Sequence, residues 1–231
     1  MQLLIGNKNY SSWSMRPWVL MRQFGIRFEE VMIRFDSMAA DSVFKQRIGA
    51  VSPAAKVPVL VQDDGFVVWD TLAIAETLAD QFPSLALWPA DARQRARARS
   101  LCAEMHSGFG ALRSHCPMNI EASLPHIGQK VMAEQPAVVA DLQRIVHMWT
   151  EALNASGGPF LFGGFSIADA YFAPVTFRIT TYGLPVPAPV AAYVRQVQGT
   201  QAVQAWVQGA LAEHDFVAFD EPYRAVPPSR D

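Results

Sequence analysis

Residues 56–71 read Lys56-Val57-Pro58-Val59-Leu60-Val61-Gln62-Asp63-Asp64-Gly65-Phe66-Val67-Val68-Trp69-Asp70-Thr71, and this run decides the fold. Two short β-branched runs, 57–61 and 66–69, flank Asp63-Asp64-Gly65, a hairpin signal with glycine where a left-handed backbone is needed. Residues 71–82 then carry a helical period that stops before Pro83. Upstream, 3–5 is a strand and 7–12 a polar loop. Ser14 can cap a helix with Pro17 in its first turn, apolar residues Trp18, Leu20, Met21 and Phe24, and a stop at Gly25. Residues 28–35 read as a strand and 41–48 as a short helix. The order β, α, β, α, β, β, α is that of an α/β unit.

Past Pro83 only helical periods remain. The reading is a first domain over 1–82, a linker over 83–92 with a proline-bounded apolar connection, and an all-helical domain over 93–215. Asp91 caps a helix running to about Cys116, with Leu101, Met105, Leu112 and Cys116 near one face and Gly108 and Gly110 threatening a kink. A second long helix spans 129–153. Ser166 and Asp169 form a capping box with Asp in place of Glu, ahead of the apolar run 170–177. Shorter helices cover 189–197 and 201–211, and 216–231 is a tail whose last twelve residues hold three prolines.

The 231 residues are 51% hydrophobic, with 19 basic against 21 acidic side chains and a net charge of -2. That balance lacks the basic excess that neutralises phosphates and argues against nucleic acid as a partner. The two cysteines, Cys102 and Cys116, fall in one predicted helix, about 21 Å apart at about 1.5 Å per residue, so they are thiols and point to a reducing compartment. The opening MQLLIGNKNYSS has no basic n-region, and no run approaches a membrane span. The expectation is a cytoplasmic protein with no membrane partner. No metal-ligand spacing, Walker loop or dinucleotide fingerprint is present.

Three short segments carry candidate chemistry. The loop 9–16 places hydroxyls at a helix start, which favours an anion. Ser11 reads equally as a helix cap or as a donor to a bound anion, while Ser14 reads as a cap. Pro58, at the start of a strand, reads on base rates as an ordinary trans edge residue. Asp70 or Thr71 reads locally as an N-cap. On the first long helix His106 and Arg113 are seven residues apart and share a face; taken alone, His106 reads more readily as a helix-packing residue and Arg113 as a solvated or ion-paired one than as pocket residues.

Taken together, the element order, the hydroxyl loop after the first strand, Val57-Pro58, the Asp70-Thr71 pair and Ser166-x-x-Asp169 in a helical second half resemble the cytosolic glutathione transferases over about residues 1–215. The resemblance implies an α/β, thioredoxin-like N-terminal domain that binds glutathione, followed by an all-α C-terminal domain that supplies most of the second-substrate pocket, in a homodimer. Ser11-Ser12-Trp13-Ser14-Met15-Arg16 is similar to the serine-type motif of the zeta and theta classes, which makes Ser11 catalytic, its hydroxyl holding the glutathione sulfur as thiolate.

Further expectations follow from that likeness. Ser12, Trp13, Lys56, Val57, Pro58, Asp70 and Thr71 would contact glutathione. Val57–Pro58 would be cis, and Asp70 with Thr71 would grip the γ-glutamyl end. Trp13, His106 and Arg113 would face the second substrate. Glutathione is the co-substrate, no metal is used, and the partner is a small hydrophobic electrophile. The zeta isomerases carry cysteine where Trp13 stands and arginine where Trp18 stands, which favours transfer over maleylacetoacetate-type isomerisation. The same fold and site also suit ether-cleaving lyase chemistry or a non-catalytic binding scaffold. The absence of cysteine from the loop argues against a mixed-disulfide mechanism.

Overall fold

The structure is a computed structural model that describes residues 1–225; the end of the expected tail, 226–231, lies outside the described residues. The N-terminal unit runs β1 (Gln2–Ile5), α1 (Ser12–Gln23), β2 (Glu29–Met32), α2 (Val43–Gly49), β3 (Val59–Val61), β4 (Val67–Val68) and α3 (Thr71–Gln81). The sheet order is β2-β1-β3-β4, with β1 parallel to β2 and antiparallel to β3, and β3 antiparallel to β4. This is the expected β, α, β, α, β, β, α order. β2 is shorter than the predicted 28–35 because it pairs residue for residue with the four of β1. Gly65, at φ +85, turns the β3–β4 hairpin as its sequence demands.

The remainder is helical: α4 (Ala92–Ser107), α5 (Gly110–His115), α6 (Pro125–Glu134), α7 (Pro136–Ser156), α8 (Ile167–Tyr182), α9 (Ala188–Gln198) and α10 (Gln201–Glu213). Both long helices of the sequence reading are broken. The first ends at Gly108, whose N–H bonds the Glu104 carbonyl at 2.8 Å, and Phe109 follows in the left-handed region at φ +56. The second is interrupted at Pro136, which has no N–H to continue α6 and instead opens α7. Cys102 and Cys116 therefore lie on opposite sides of a break, both as buried free thiols.

α8 is the central post. All but one of its residues are buried, and it packs on α1, α4, α6 and α9. Its start is fixed by the predicted capping box: the Asp169 carboxylate accepts from the Ser166 N–H at 2.9 Å, the Ser166 hydroxyl at 3.0 Å, the Leu161 N–H at 3.1 Å and the Tyr193 hydroxyl at 3.1 Å. Burial nonetheless pushes Asp169 up to about 6. On one side of the sheet, Leu3 and Ile5 of β1 and Leu60 of β3 join one core with α1, α3 and the helical half; on the other, Leu4 and Val59 pack on Phe44 and Ile48 of α2. Among the described residues no helix is long and apolar enough to cross a membrane, and no group of three or more His, Cys, Asp or Glu is placed to hold a metal ion.

Candidate active site

The loop after β1 tightens at once. The N–H groups of Tyr10 and Ser11 both bond the Asn7 carbonyl, at 3.1 and 2.8 Å, and α1 opens at Ser12. Ser11 is the N-cap residue, but its side chain caps nothing. Its hydroxyl lies 2.7 Å from that of Ser14, which accepts the Gly6 N–H at 3.2 Å. Ser14 is thus inside the helix and ties it to the end of β1, a correction to its expected role as cap. The helix starts earlier than predicted, so Pro17 falls in its second turn. Without an N–H, Pro17 leaves the Trp13 carbonyl four residues back with no helical donor. Thr71 supplies one, its hydroxyl lying 3.3 Å from that oxygen.

Asp70 caps α3 by accepting the Leu72 N–H at 3.2 Å, and its other oxygen lies 3.3 Å from His106 Nε2. The opposite ring nitrogen of His106, Nδ1, is 2.7 Å from the Tyr171 hydroxyl, so the imidazole is held at both ends. Its ring meets Trp13 edge-on at 5.1 Å. The Arg113 guanidinium sits 5.6 Å from the Trp13 ring and donates to the His106 carbonyl at 3.4 Å. His106 and Arg113 come from two helices rather than one face of a single helix, yet the break at Gly108 brings both to Trp13. Val57–Pro58 is cis, as the resemblance implied and against the base rate, and Trp69–Asp70 is also cis. Pro58 is buried, Val57 half-buried and Lys56 exposed. Among the described residues no side-chain hydrogen bond joins these three to the Ser11–Asp70–His106 cluster.

Two further arginines complete the cluster. Arg16, 2% exposed, lies between the faces of Trp13 at 4.2 Å and Tyr171 at 4.5 Å, and its Nε donates to the Tyr171 carbonyl at 2.9 Å. Arg178 of α8, 4% exposed, donates to the carbonyls of Cys116 and Arg113 and, at 3.3 Å, to the Ser12 hydroxyl. Burial pulls each of them down to about 10, so both remain cationic at neutral pH. Arg16 Nη1 and Arg178 Nε are buried with no partner among the described residues. Sequence reasoning assigns neither arginine a role and misses Tyr171. A signal exists for Arg178, an isolated charge in the otherwise apolar stretch Tyr171–Ile179.

The arrangement suits stabilisation of an anion. The nearest partner of the Ser11 hydroxyl is another hydroxyl and not a base, so it is poorly equipped as a nucleophile. As a donor it stands at a helix N-terminus, with Arg178 on the hydroxyl of the adjacent Ser12 and Arg16 stacked on Trp13. The thiols of Cys102 and Cys116 are both pushed up by burial, Cys116 to about 11, which leaves them protonated and inert at neutral pH.

The family model for the glutathione S-transferase N-terminal domain matches residues 10–81. A probable maleylacetoacetate isomerase of Caenorhabditis elegans is 31% identical over 103 residues, 45% of this chain and 45% of the relative. Protein IN2-1 of Zea mays is 25% identical over 173 residues, 75% of this chain and 63% of the relative. The chain thus spans about half to two thirds of the length of these curated relatives. The structure of a glutathione transferase homologue from Burkholderia GL BGR1, with bound glutathione, superposes with a TM-score of 0.70 at 26% identity, covering 91% of this chain and 98% of the other. The matched segment contains the Ser11 loop, the cis Val57–Pro58 bond and the start of α3, and the whole-chain superposition extends through the helical half; residues 10–81 are thus similar to the glutathione S-transferase N-terminal domain, and the chain as a whole shares the fold of that glutathione transferase homologue.

Proposed function

We propose that the protein is a glutathione transferase in which Ser11 donates a hydrogen bond to the glutathione sulfur, favours the thiolate and presents it to a small hydrophobic electrophile. The observation that carries this reading is the Ser11 hydroxyl, held against Ser14 at 2.7 Å at the head of α1. The helix N-terminus and the buried charges of Arg16 and Arg178 act on an anion there in the same direction. Asp70, exposed on one side of its carboxylate, takes the γ-glutamyl ammonium, and the first turn of α3 takes the adjoining carboxylate. Lys56 and the backbone of Val57 at the entry to β3 contact the rest of the tripeptide, with Pro58 fixing that turn. Ser12 and Trp13 line the sulfur end, and Trp13, His106 and Arg113 face the second substrate. Proximity of thiolate and electrophile supplies much of the rate, with no covalent enzyme intermediate. The reading includes a cytoplasmic homodimer.

One observation favours a second reading, glutathione-dependent isomerisation of a carboxylate-bearing substrate. Arg16, Arg113 and Arg178 converge on Ser12 and Trp13, and among the described residues none of them has a carboxylate within salt-bridge distance. The resemblance to a probable maleylacetoacetate isomerase points the same way. Retention on immobilised glutathione, followed by parallel assays with a chromogenic aryl halide and with a cis-unsaturated dicarboxylate, tests both readings. Conjugation of the halide supports transfer, and cis–trans conversion with no net consumption of glutathione supports isomerisation. Binding without turnover of either leaves a scaffold, and no retention removes the site.

A further inference from the structure

Residues beyond α10 do not trail away as the sequence suggested but run back across the β1–α1 loop. Asn7 donates to Asp215 at 2.6 Å, the Lys8 N–H bonds Glu213 at 2.9 Å, and Trp206 of α10 donates to the Lys8 carbonyl at 3.0 Å. Asn9 donates to Asn119 at 3.1 Å. The strongest hold is on Tyr10. Its hydroxyl donates to Glu221 Oε1 at 2.7 Å and accepts the Val217 N–H at 3.3 Å. Glu221 is 5% exposed, and the same oxygen takes Asn119 Nδ2 at 2.9 Å while Arg224 grips the carboxylate from outside, its Nε 2.8 Å from Oε2.

A buried carboxylate is costly to desolvate, and here Tyr10, Asn119 and Arg224 offset that cost in a segment that also reaches the core through Val217 and Tyr223. What it holds is the residue before Ser11. The Tyr10 carbonyl accepts the Ser12 N–H at 2.8 Å, so the orientation of Tyr10 sets where Ser11 leaves the loop and where its hydroxyl points. Burial and the adjacent carboxylate push the Tyr10 phenol up to about 12, so it stays a donor through the neutral range.

We propose that Glu221, acting through Tyr10, is a positioning residue for the Ser11 hydroxyl, and that residues 213–225 are a built part of the active site. The proposal rests on the reading of Ser11 as the donor to sulfur. It makes the C-terminal segment a determinant of how well thiolate is stabilised and not of how tightly glutathione binds. The γ-glutamyl contacts at Asp70 and Thr71 lie on another element and are untouched by it.

The test uses the full chain with Tyr10→Phe, Glu221→Ala and Glu221→Gln, and reads backbone hydrogen exchange over residues 8–14, the thiolate absorbance of bound glutathione against pH, and kcat and KM. Glu221→Ala is expected to speed exchange in that segment at least roughly tenfold while the β1 and α8 amides stay protected. It is expected to lower kcat by about tenfold, leave KM for glutathione within about twofold, and move the thiolate titration to higher pH. Glu221→Gln, which keeps an acceptor for Tyr10, restores most of the loss, and Tyr10→Phe reproduces part of it. Unchanged exchange and unchanged kcat in both Tyr10→Phe and Glu221→Ala overturn the proposal, as does exchange that rises equally everywhere with a lower Tm, the mark of a merely structural contact. A wild-type chain that neither binds nor turns over glutathione refutes the transferase reading instead, and the exchange result over residues 8–14 then decides the anchoring by itself.

Discussion

Ser11→Ala tests the donor role, and the structure sets its size. The Ser11 hydroxyl is 2.7 Å from that of Ser14, a neutral hydrogen bond worth about 0.5–1.5 kcal/mol net. Turning to a thiolate exchanges it for a charge-assisted bond worth about 1.5–3 kcal/mol. Should Ser11 simply swing away, the gain is the difference, about 1–2 kcal/mol, or roughly five- to thirtyfold in kcat/KM. Hydroxyl protons rotate, however, and Ser14 can reverse the bond and donate to Ser11 while Ser11 donates to sulfur. That relay retains the neutral bond and raises the loss in Ser11→Ala toward the full charge-assisted value, roughly a hundredfold at most. Steady-state conjugation with a chromogenic electrophile, with glutathione affinity by calorimetry, measures both limits. Affinity is expected to change little and the bound thiol to titrate at higher pH. Turnover unchanged by Ser11→Ala, or a larger loss in Ser12→Ala, refutes the assignment.

Asp70→Asn keeps the cap on Leu72 but loses the charge, so calorimetry is expected to show glutathione binding weakened by about tenfold, with a smaller change in kcat; unchanged affinity removes Asp70 from the site. Cys102 and Cys116 are expected to resist a chromogenic thiol reagent in the native protein and to react fully on denaturation, and rapid native labelling of either contradicts the burial that pushes both thiols up. Asp169 gives a pH dependence of definite sign: its folded value of about 6 lies above the ordinary 3.8, so the folded state binds the extra proton between them and stability falls as pH rises through that window, by about 3 kcal/mol. Urea midpoints for wild type and Asp169→Asn are therefore expected to converge as pH goes from 4 to 7, and a gap that widens with pH reverses the argument.

The N-terminal architecture is legible because its signals are local. Asp63-Asp64-Gly65 needs only neighbouring residues to declare a hairpin, and Ser166-x-x-Asp169 declares a helix start in the same way. Legibility fails where apolar periodicity continues past a breaker. Pro136 stands in plain view, but the apolar positions of α6 and α7 keep a helical period on either side of it, and one long helix is expected where a proline starts a second. The break at Gly108 reads in sequence as a kink; the left-handed Phe109, which turns it into a new helix, carries no sequence mark of its own.

The site divides along the same line. Ser11, Asp70 and Thr71 sit at strand ends and helix starts, where sequence order alone brings them together. Their supports do not. Arg178 reaches Ser12 across 166 residues, Glu221 reaches Tyr10 across 211, and Tyr171 reaches His106 across 65. Each of these supports is a buried polar group, and burial is a property of the folded chain that no local pattern records. Arg178 alone leaves a trace, because a cation within an apolar helical run must find its carbonyls and hydroxyl or unfold the run that carries it. Glu221 leaves none, since an acid beside prolines near the chain end reads as solvated. The residue that sequence discounts most easily is thus the one on which the orientation of Tyr10, and through it the Ser11 hydroxyl, depends.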